Sequence, residues 1–179
     1  PEMYNTLEKV FDVVYAKNGK SPVKLAGYHA LNSLRMEKGY LHWGHDIGVE
    51  ENPFEAGVGF CVNLNKKNPF LGQAALEEKK KSGLSKRKVN FALSNNDLLI
   101  YHNEPIYFDG KIVGEISSGM YGFYLDKSLG MGYISNNDSY SIEEMMSHQK
   151  FEIEVAETKY SAEGSINCFY DPGREKILV

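Results

Sequence analysis

Cysteine is scarce, at two in 179 residues. Cys61 and Cys168 stand far apart, without a CxxC or a His at ligand spacing, so neither a zinc site nor a disulfide framework is indicated. A reducing, cytoplasmic-type compartment is the expected setting. No apolar run approaches the roughly 20 residues that a membrane-spanning helix needs, and no signal-peptide pattern opens the chain. Excess positive charge is missing too. Twenty-four acidic against twenty basic residues give a net charge of -4, which speaks against an extended nucleic-acid footprint. The one basic cluster, Lys79-Lys80-Lys81 with Lys86-Arg87-Lys88, follows Glu77 and Glu78 and contains no aromatic, so it reads as a solvated helix end and loop. Gly114, Gly119, Gly122, Gly130 and Gly132 form no GxGxxG between a strand and a helix, and no GxSxG exists. A dinucleotide cradle and a nucleophile elbow are thereby disfavoured.

What is present is ordinary globular material, 42% hydrophobic, with helical signals early and strand signals late. Asn5-Thr-Leu-Glu8 resembles a capping box, and Leu7, Val10, Phe11, Val14 and Tyr15 follow an amphipathic stripe that Gly19 would end. Ser21 and Pro22 predict the start of a second helix, with Leu25, Tyr28, Leu31 and Leu34 on one face and Gly39 as its stop. Two such helices need a sheet to cover, and no strands precede them, so the chain reads as entering midway through a domain. Residues 57–64 read as a short apolar strand, and residues 70–81 as a helix with Leu71, Ala74, Ala75 and Leu76 on its apolar side, ending near Gly83.

From Lys88 onward the period is two. Val89, Phe91 and Leu93, then Phe151, Ile153 and Val155, alternate with polar partners, and Asp109-Gly110 between two short apolar runs signals a type I′ hairpin. The expected fold class is α+β: a helical tail of one domain over residues 1–85, then a small antiparallel β-barrel over 86–179. A linker is expected at 79–87, where charge and Gly concentrate.

Candidate site residues gather between the second helix and the next turn. Arg35 and Glu37 lie two apart near a helix C-terminus, so they face different ways and are no i,i+4 surface pair. Arg35 or Lys38 could simply neutralise the terminal carbonyls. The aromatic exit from Tyr40 through Trp43 to Asp46 offers flat rings beside fixed charges, suited to a heteroaromatic ring with a carboxylated tail. A core role for Trp43 is the rival reading. His42 and His45 are three apart, but Gly39 and Gly44 break any helix there and no third ligand follows, so no metal is expected. Glu55 and Gly57 belong to a structural turn, Pro53-Phe-Glu-Ala-Gly57.

These pieces occur in an order that resembles the C-terminal region of the glycine cleavage T-protein (aminomethyltransferase) family, in the form fused to dimethylglycine and sarcosine dehydrogenases. The resemblance rests on Ser33-Leu-Arg-Met-Glu-Lys-Gly-Tyr40, Trp43-Gly-His-Asp46, Pro53-Phe-Glu-Ala-Gly57, Phe70-Leu-Gly-Gln-Ala-Ala-Leu76, Gly114-Glu-Ile-Ser-Ser-Gly119 and Leu129-Gly-Met-Gly-Tyr133. It implies a three-subdomain protein around a tetrahydrofolate channel, ending in a small barrel. Arg35, Glu37, Tyr40, Trp43 and Asp46 would then contact folate, with Trp43 where the T-protein proper carries Tyr. The partners implied are a small-molecule amine, folate and an N-terminal domain of the same polypeptide, with FAD only where a flavin domain lies upstream. The family's key Asp and its glycine-rich pterin segment lie N-terminal to the region matched. This chain alone is therefore expected to show no aminomethyl transfer and to bind folate weakly. A non-catalytic folate-binding or assembly module is the alternative.

Overall fold

The computed structural model describes residues 2–14 and 26–178, which divide into two compact units between Leu31 and Asn32. The expected division at 85/86 falls inside the larger unit, where a helix gives way to the first barrel strand.

In the smaller unit, α1 (Glu2–Val14) begins three residues ahead of Asn5, so Asn5 is not its cap. Thr6 Oγ1 instead bonds back to the Glu2 carbonyl at 2.8 Å, the local pairing that Thr makes inside a helix. The predicted stop at Gly19, together with Tyr15, Ser21, Pro22 and Leu25, lies outside the described residues. Helix α2 (Tyr28–Lys38) starts only after Gly27, so it does not run unbroken from Pro22. Its leucine stripe is also misread: Tyr28, Leu31 and Leu34 are exposed, whereas Ser33, Met36 and Glu37 are buried.

Residues 57–64 contain no strand. The chain there makes a 3₁₀ turn, Gly59–Cys61, after Gly57 at φ 80° has reversed it, and Gly59 abuts the Phe54 ring. An apolar run alone does not separate a strand from a tight turn. Helix α3 (Gln73–Ser82) opens on Gly72 and closes on Gly83, as expected at that end, but buries no residue. Leu71 lies outside it and is exposed.

The rest is the barrel. Strands β1 (Lys86–Leu93), β2 (Pro105–Phe108), β3 (Lys111–Gly122), β4 (Lys127–Ser135), β5 (Phe151–Val155) and β6 (Thr158–Ser165) close in the order β1-β4-β3-β2-β5-β6, with β6 pairing back onto β1. All neighbours are antiparallel, and the closure removes both sheet edges. Val89, Phe91 and Leu93 point into the core with Ile106, Phe108, Ile116, Phe151 and Ile153, as the alternation requires. Asp109 (φ 48°) and Gly110 (φ 81°) form the β2–β3 turn with both φ positive, the condition of a type I′ hairpin. Short helix α4 (Ile142–His148) plugs the core with Ile142 and Met145 and is held by a capping box between Ser141 and Glu144. On the outer face of β1 and β4, Ala92, Leu129 and Met131 form a second cluster with Met36 of α2.

Candidate functional site

The site grows from how α2 ends. Gly39, at φ 65°, takes the left-handed position after the last helical turn; its N–H reaches the Met36 carbonyl (3.2 Å) and that of Tyr40 reaches Arg35 (2.9 Å). This double closure ends the helix and throws residues 40–46 back toward the barrel. An added Cβ at Gly39 would sit 3.2 Å from both Asn90 Oδ1 and Cys168 Cβ, so the helix end lies directly on β1 and the C-terminal segment.

Asp46 anchors the returning loop. Its carboxylate, in a residue only 1% exposed, accepts from Arg35 Nη1 (2.7 Å), the His42 amide (2.8 Å) and Ser117 Oγ (2.6 Å), and its carbonyl accepts from Tyr133 Oη (2.7 Å). Arg35 also donates from Nε to Asn32 Oδ1 (2.6 Å), from Nη1 to the Tyr40 carbonyl (3.4 Å) and from Nη2 to Ser118 Oγ (3.1 Å). Helix, loop and strand are thus joined through one guanidinium. Ser118 reaches Arg35, and Ser117 reaches Asp46, because β3 slips register between Ile116 and Ser118, a bulge that supplies an extra residue and re-aims two hydroxyls. Both serines lie in Gly114-Glu-Ile-Ser-Ser-Gly119, where spacing alone gives them no role. Two small hydroxyl residues between glycines inside a strand are the signal that could have found them.

Glu37 does a parallel job on the other side. At 3% exposure, its Oε1 accepts from the Tyr124 and Leu125 amides (2.7 and 3.0 Å), while Ser33 Oγ donates to the Tyr121 carbonyl (2.8 Å). These bonds fix the β3–β4 hairpin to α2. Glu37 and Asp46, expected at a ligand, are therefore turned inward, where their oxygens satisfy backbone and side-chain donors. The expected separation of Arg35 from Glu37 holds, since Arg35 meets Asp46 and the middle of β3 while Glu37 meets the β3–β4 turn. Glu55 is buried and braces its turn by accepting from the Asn52 amide (3.2 Å) and Ser85 Oγ (3.2 Å), and its carbonyl accepts from the Lys88 amide. Gly57 closes that turn at positive φ, and Arg87 donates to the Phe54 carbonyl beside it.

Left facing outward are the aromatics. Trp43 is 68% exposed and Tyr40 52% exposed, so Trp43 is no core residue. The His42 and His45 rings meet at 5.2 Å, and among the described residues no cluster of three or more His, Cys, Asp or Glu includes them. The arrangement can therefore do one thing well: a rigidly pinned loop presents flat, amphipathic ring faces to a planar ligand.

Two titrating groups lie close by. Burial, with Glu51, Asp46 and Glu55 around it, pushes the Tyr133 phenol well up, so it stays a donor to Asp46. Burial likewise lowers Lys88 to about 8, against the attraction of Asp46. Because the folded state resists protonating Lys88, stability falls as pH drops from the ordinary lysine range toward 8 and the penalty is complete below that. Lys88→Met is expected to remove this slope, leaving the variant up to about 3 kcal/mol more stable than the parent at neutral pH and equal to it near pH 10.5. Denaturant melts across that range check it.

Comparison with known proteins adds three findings. Residues 86–171 match the family model "Glycine cleavage T-protein C-terminal barrel domain", and residues 3–66 match "GCVT N-terminal domain". The chain is 36% identical over 168 residues to 4-methylaminobutanoate oxidase (formaldehyde-forming) of Paenarthrobacter nicotinovorans, covering 94% of this chain and 20% of that protein. It is 31% identical over 169 residues to the mitochondrial sarcosine dehydrogenase of Homo sapiens, covering 94% and 18%. The chain thus spans about a fifth of the length of these relatives. The crystal structure of the glycine cleavage system aminomethyltransferase T from Bartonella henselae shares the fold, with a TM-score of 0.71 at 24% identity over 90% of this chain and 42% of that one.

Proposed function

This chain belongs to the glycine cleavage T-protein family, and we propose that it forms one wall of the tetrahydrofolate site in a protein that passes a one-carbon unit from a methylated or aminomethylated amine to that cofactor. The observation that carries this reading is the pair Tyr40 and Trp43, exposed on a loop that Asp46 pins to Arg35 and Ser117. The residues fit the ligand in a particular way. Ring faces of this size suit a pterin or aminobenzoyl ring, while four of the five guanidinium N–H groups of Arg35 are committed among the described residues, leaving one on Nη2 for a ligand oxygen.

Bound tetrahydrofolate supplies two amine nitrogens that take up a carbon at the formaldehyde level. The chain's own residues bind and orient: Arg35 and Asp46 fix the loop, and Trp43 and Tyr40 cover the ring and keep water from it. An N-terminal domain of the same polypeptide would complete the site, and FAD enters only where a flavin domain lies upstream.

In the intact protein, Trp43→Ala is expected to raise the tetrahydrofolate Kd about tenfold, some 1.4 kcal/mol, with a folding stability within about 0.5 kcal/mol of the parent because the ring is exposed. Calorimetric titration and thermal melting measure the two. An unchanged Kd removes the reading's support. Tight folate binding by an intact protein with no transfer activity would place the chain in a non-catalytic folate-binding module instead.

A further inference from the structure

Lys88 occupies an unusual place. Its neighbours Val89, Phe91 and Leu93 alternate into the barrel core, so Lys88 and Asn90 project from the outer face of β1, beneath the end of α2. The residue is 6% exposed. Its Nζ has only neutral partners, Asn90 Oδ1 at 3.0 Å and Met131 Sδ at 3.9 Å, and among the described residues it makes no ion pair. The carboxylate that acts on it, Asp46, is already spent on Arg35, Ser117 and His42. Lys88 nonetheless borders an open cavity of about 520 Å³ together with Tyr40, Asn90, Cys168 and Arg174, and no acidic side chain lines that cavity.

We propose that Lys88 is a carbonyl-capture amine, at which a small aldehyde condenses reversibly to an imine. Most buried lysines are kept as ammonium by a carboxylate, and a buried lysine without one is the arrangement that frees a nucleophilic lone pair. Burial disfavours the ammonium most strongly; Asp46 favours it, Arg87 adds a smaller repulsion and Cys168 a smaller attraction still, and the balance lies near 8. Lys38, which also borders the cavity, is held by Asp171 at 3.4 Å, and Arg174 lies over the Phe60 ring, so neither competes as a nucleophile.

The chemistry balances without an oxidant or reductant. The Nζ lone pair attacks the carbonyl carbon, the C=O electrons move to oxygen, and an amine proton follows them to give a carbinolamine. Loss of that hydroxyl as water, with the second amine proton, leaves C=N. Cys168 can add to the same carbon only as a hemithioacetal, which mild hydride does not fix. The smallest aldehyde of the class, formaldehyde, rests on the folate reading above, because that reading puts a carbon of the same oxidation level beside this cavity. The amine's reactivity does not depend on it.

The test uses the full chain, substoichiometric isotope-labelled formaldehyde and cyanoborohydride, with peptide mapping of each lysine over a pH series. Lys88 is expected to be methylated at least about tenfold faster than Lys79, Lys80 and Lys81 near pH 7.5, with a rate that levels off above about pH 8 while theirs keeps climbing toward 10.5. Lys88→Arg, which retains the cation but forms no imine, should lose only this fast phase. Labelling of Lys88 no faster than the surface lysines, or with their pH profile, overturns the proposal. Neither result bears on folate affinity, so this inference and the folate reading fail separately.

Discussion

Replacing Arg35 with alanine is expected to lower folding stability by about 3–5 kcal/mol, the cost of leaving a buried carboxylate without its cation. The guanidinium side chain is 13% exposed and that of Asp46 0%, so water cannot take over the lost contacts. Membership of the folate-contacting set, which the resemblance implies for Arg35, would make its loss a matter of affinity first and of stability second. The geometry reverses that order. Four hydrogen-bonding groups from α2, the loop and β3 lose their donor together, so the loop that carries Trp43 is released and folate affinity falls as a consequence. Chemical denaturation of the single and double variants separates the causes. Asp46→Asn added to Arg35→Ala should recover part of the loss, because the unpaired charge is gone, whereas Asp46→Asn in the parent should only destabilise. A parent-like denaturation midpoint for Arg35→Ala would show that the junction does not depend on this residue.

The second large effect lies in the barrel wall. A Cβ built at Gly114 would stand 1.8 Å from the Tyr133 carbonyl oxygen and 3.2 Å from Ile134 Cα, both of them backbone atoms of the paired strand β4. Nothing flexible can yield there, so Gly114→Ala must part β3 from β4 beside the bulge that aims Ser117 and Ser118. The expected loss is at least about 3 kcal/mol, or roughly 6–12 °C in Tm for a domain of this size. Gly110→Ala at the hairpin tip meets no atom within 4 Å and serves as the control, costing only the about 1–2 kcal/mol of a left-handed alanine. Equal losses for the two variants would mean that close strand approach is not what Gly114 provides.

What could be read in advance follows from which signals are local. The alternation of Val89, Phe91 and Leu93 and the Asp109-Gly110 turn each have one physical explanation, and both stand in the barrel. The matching turn at Ala156 and Glu157 also has two positive φ values, 49° and 63°, but neither residue type favours that region, so nothing announced it. Helix α2 misled for a different reason. Its leucines mark a stripe that is exposed, while the face it buries is made of Ser33, Met36 and Glu37, whose value lies in hydrogen bonds to a hairpin some 85–90 residues away. Hydrophobic spacing cannot register such partners. The site was legible as a neighbourhood, since Arg35, Tyr40, Trp43 and Asp46 do come together, but the division of labour among them was not. Donors from α2, the loop and the barrel hold Asp46 and Glu37 inward, while Trp43 stays exposed.

The central claim is that a pinned loop offers Trp43 to folate, and Trp43 is the only tryptophan of the chain. Its emission therefore reports on that one ring. Titrating tetrahydrofolate into the chain, with inner-filter correction against free tryptophan, is expected to quench Trp43 saturably with a Kd well above 1 μM, weaker than about -8 kcal/mol, because this chain supplies one wall of the site. Emission that never departs from the free-tryptophan control up to millimolar folate would contradict the account.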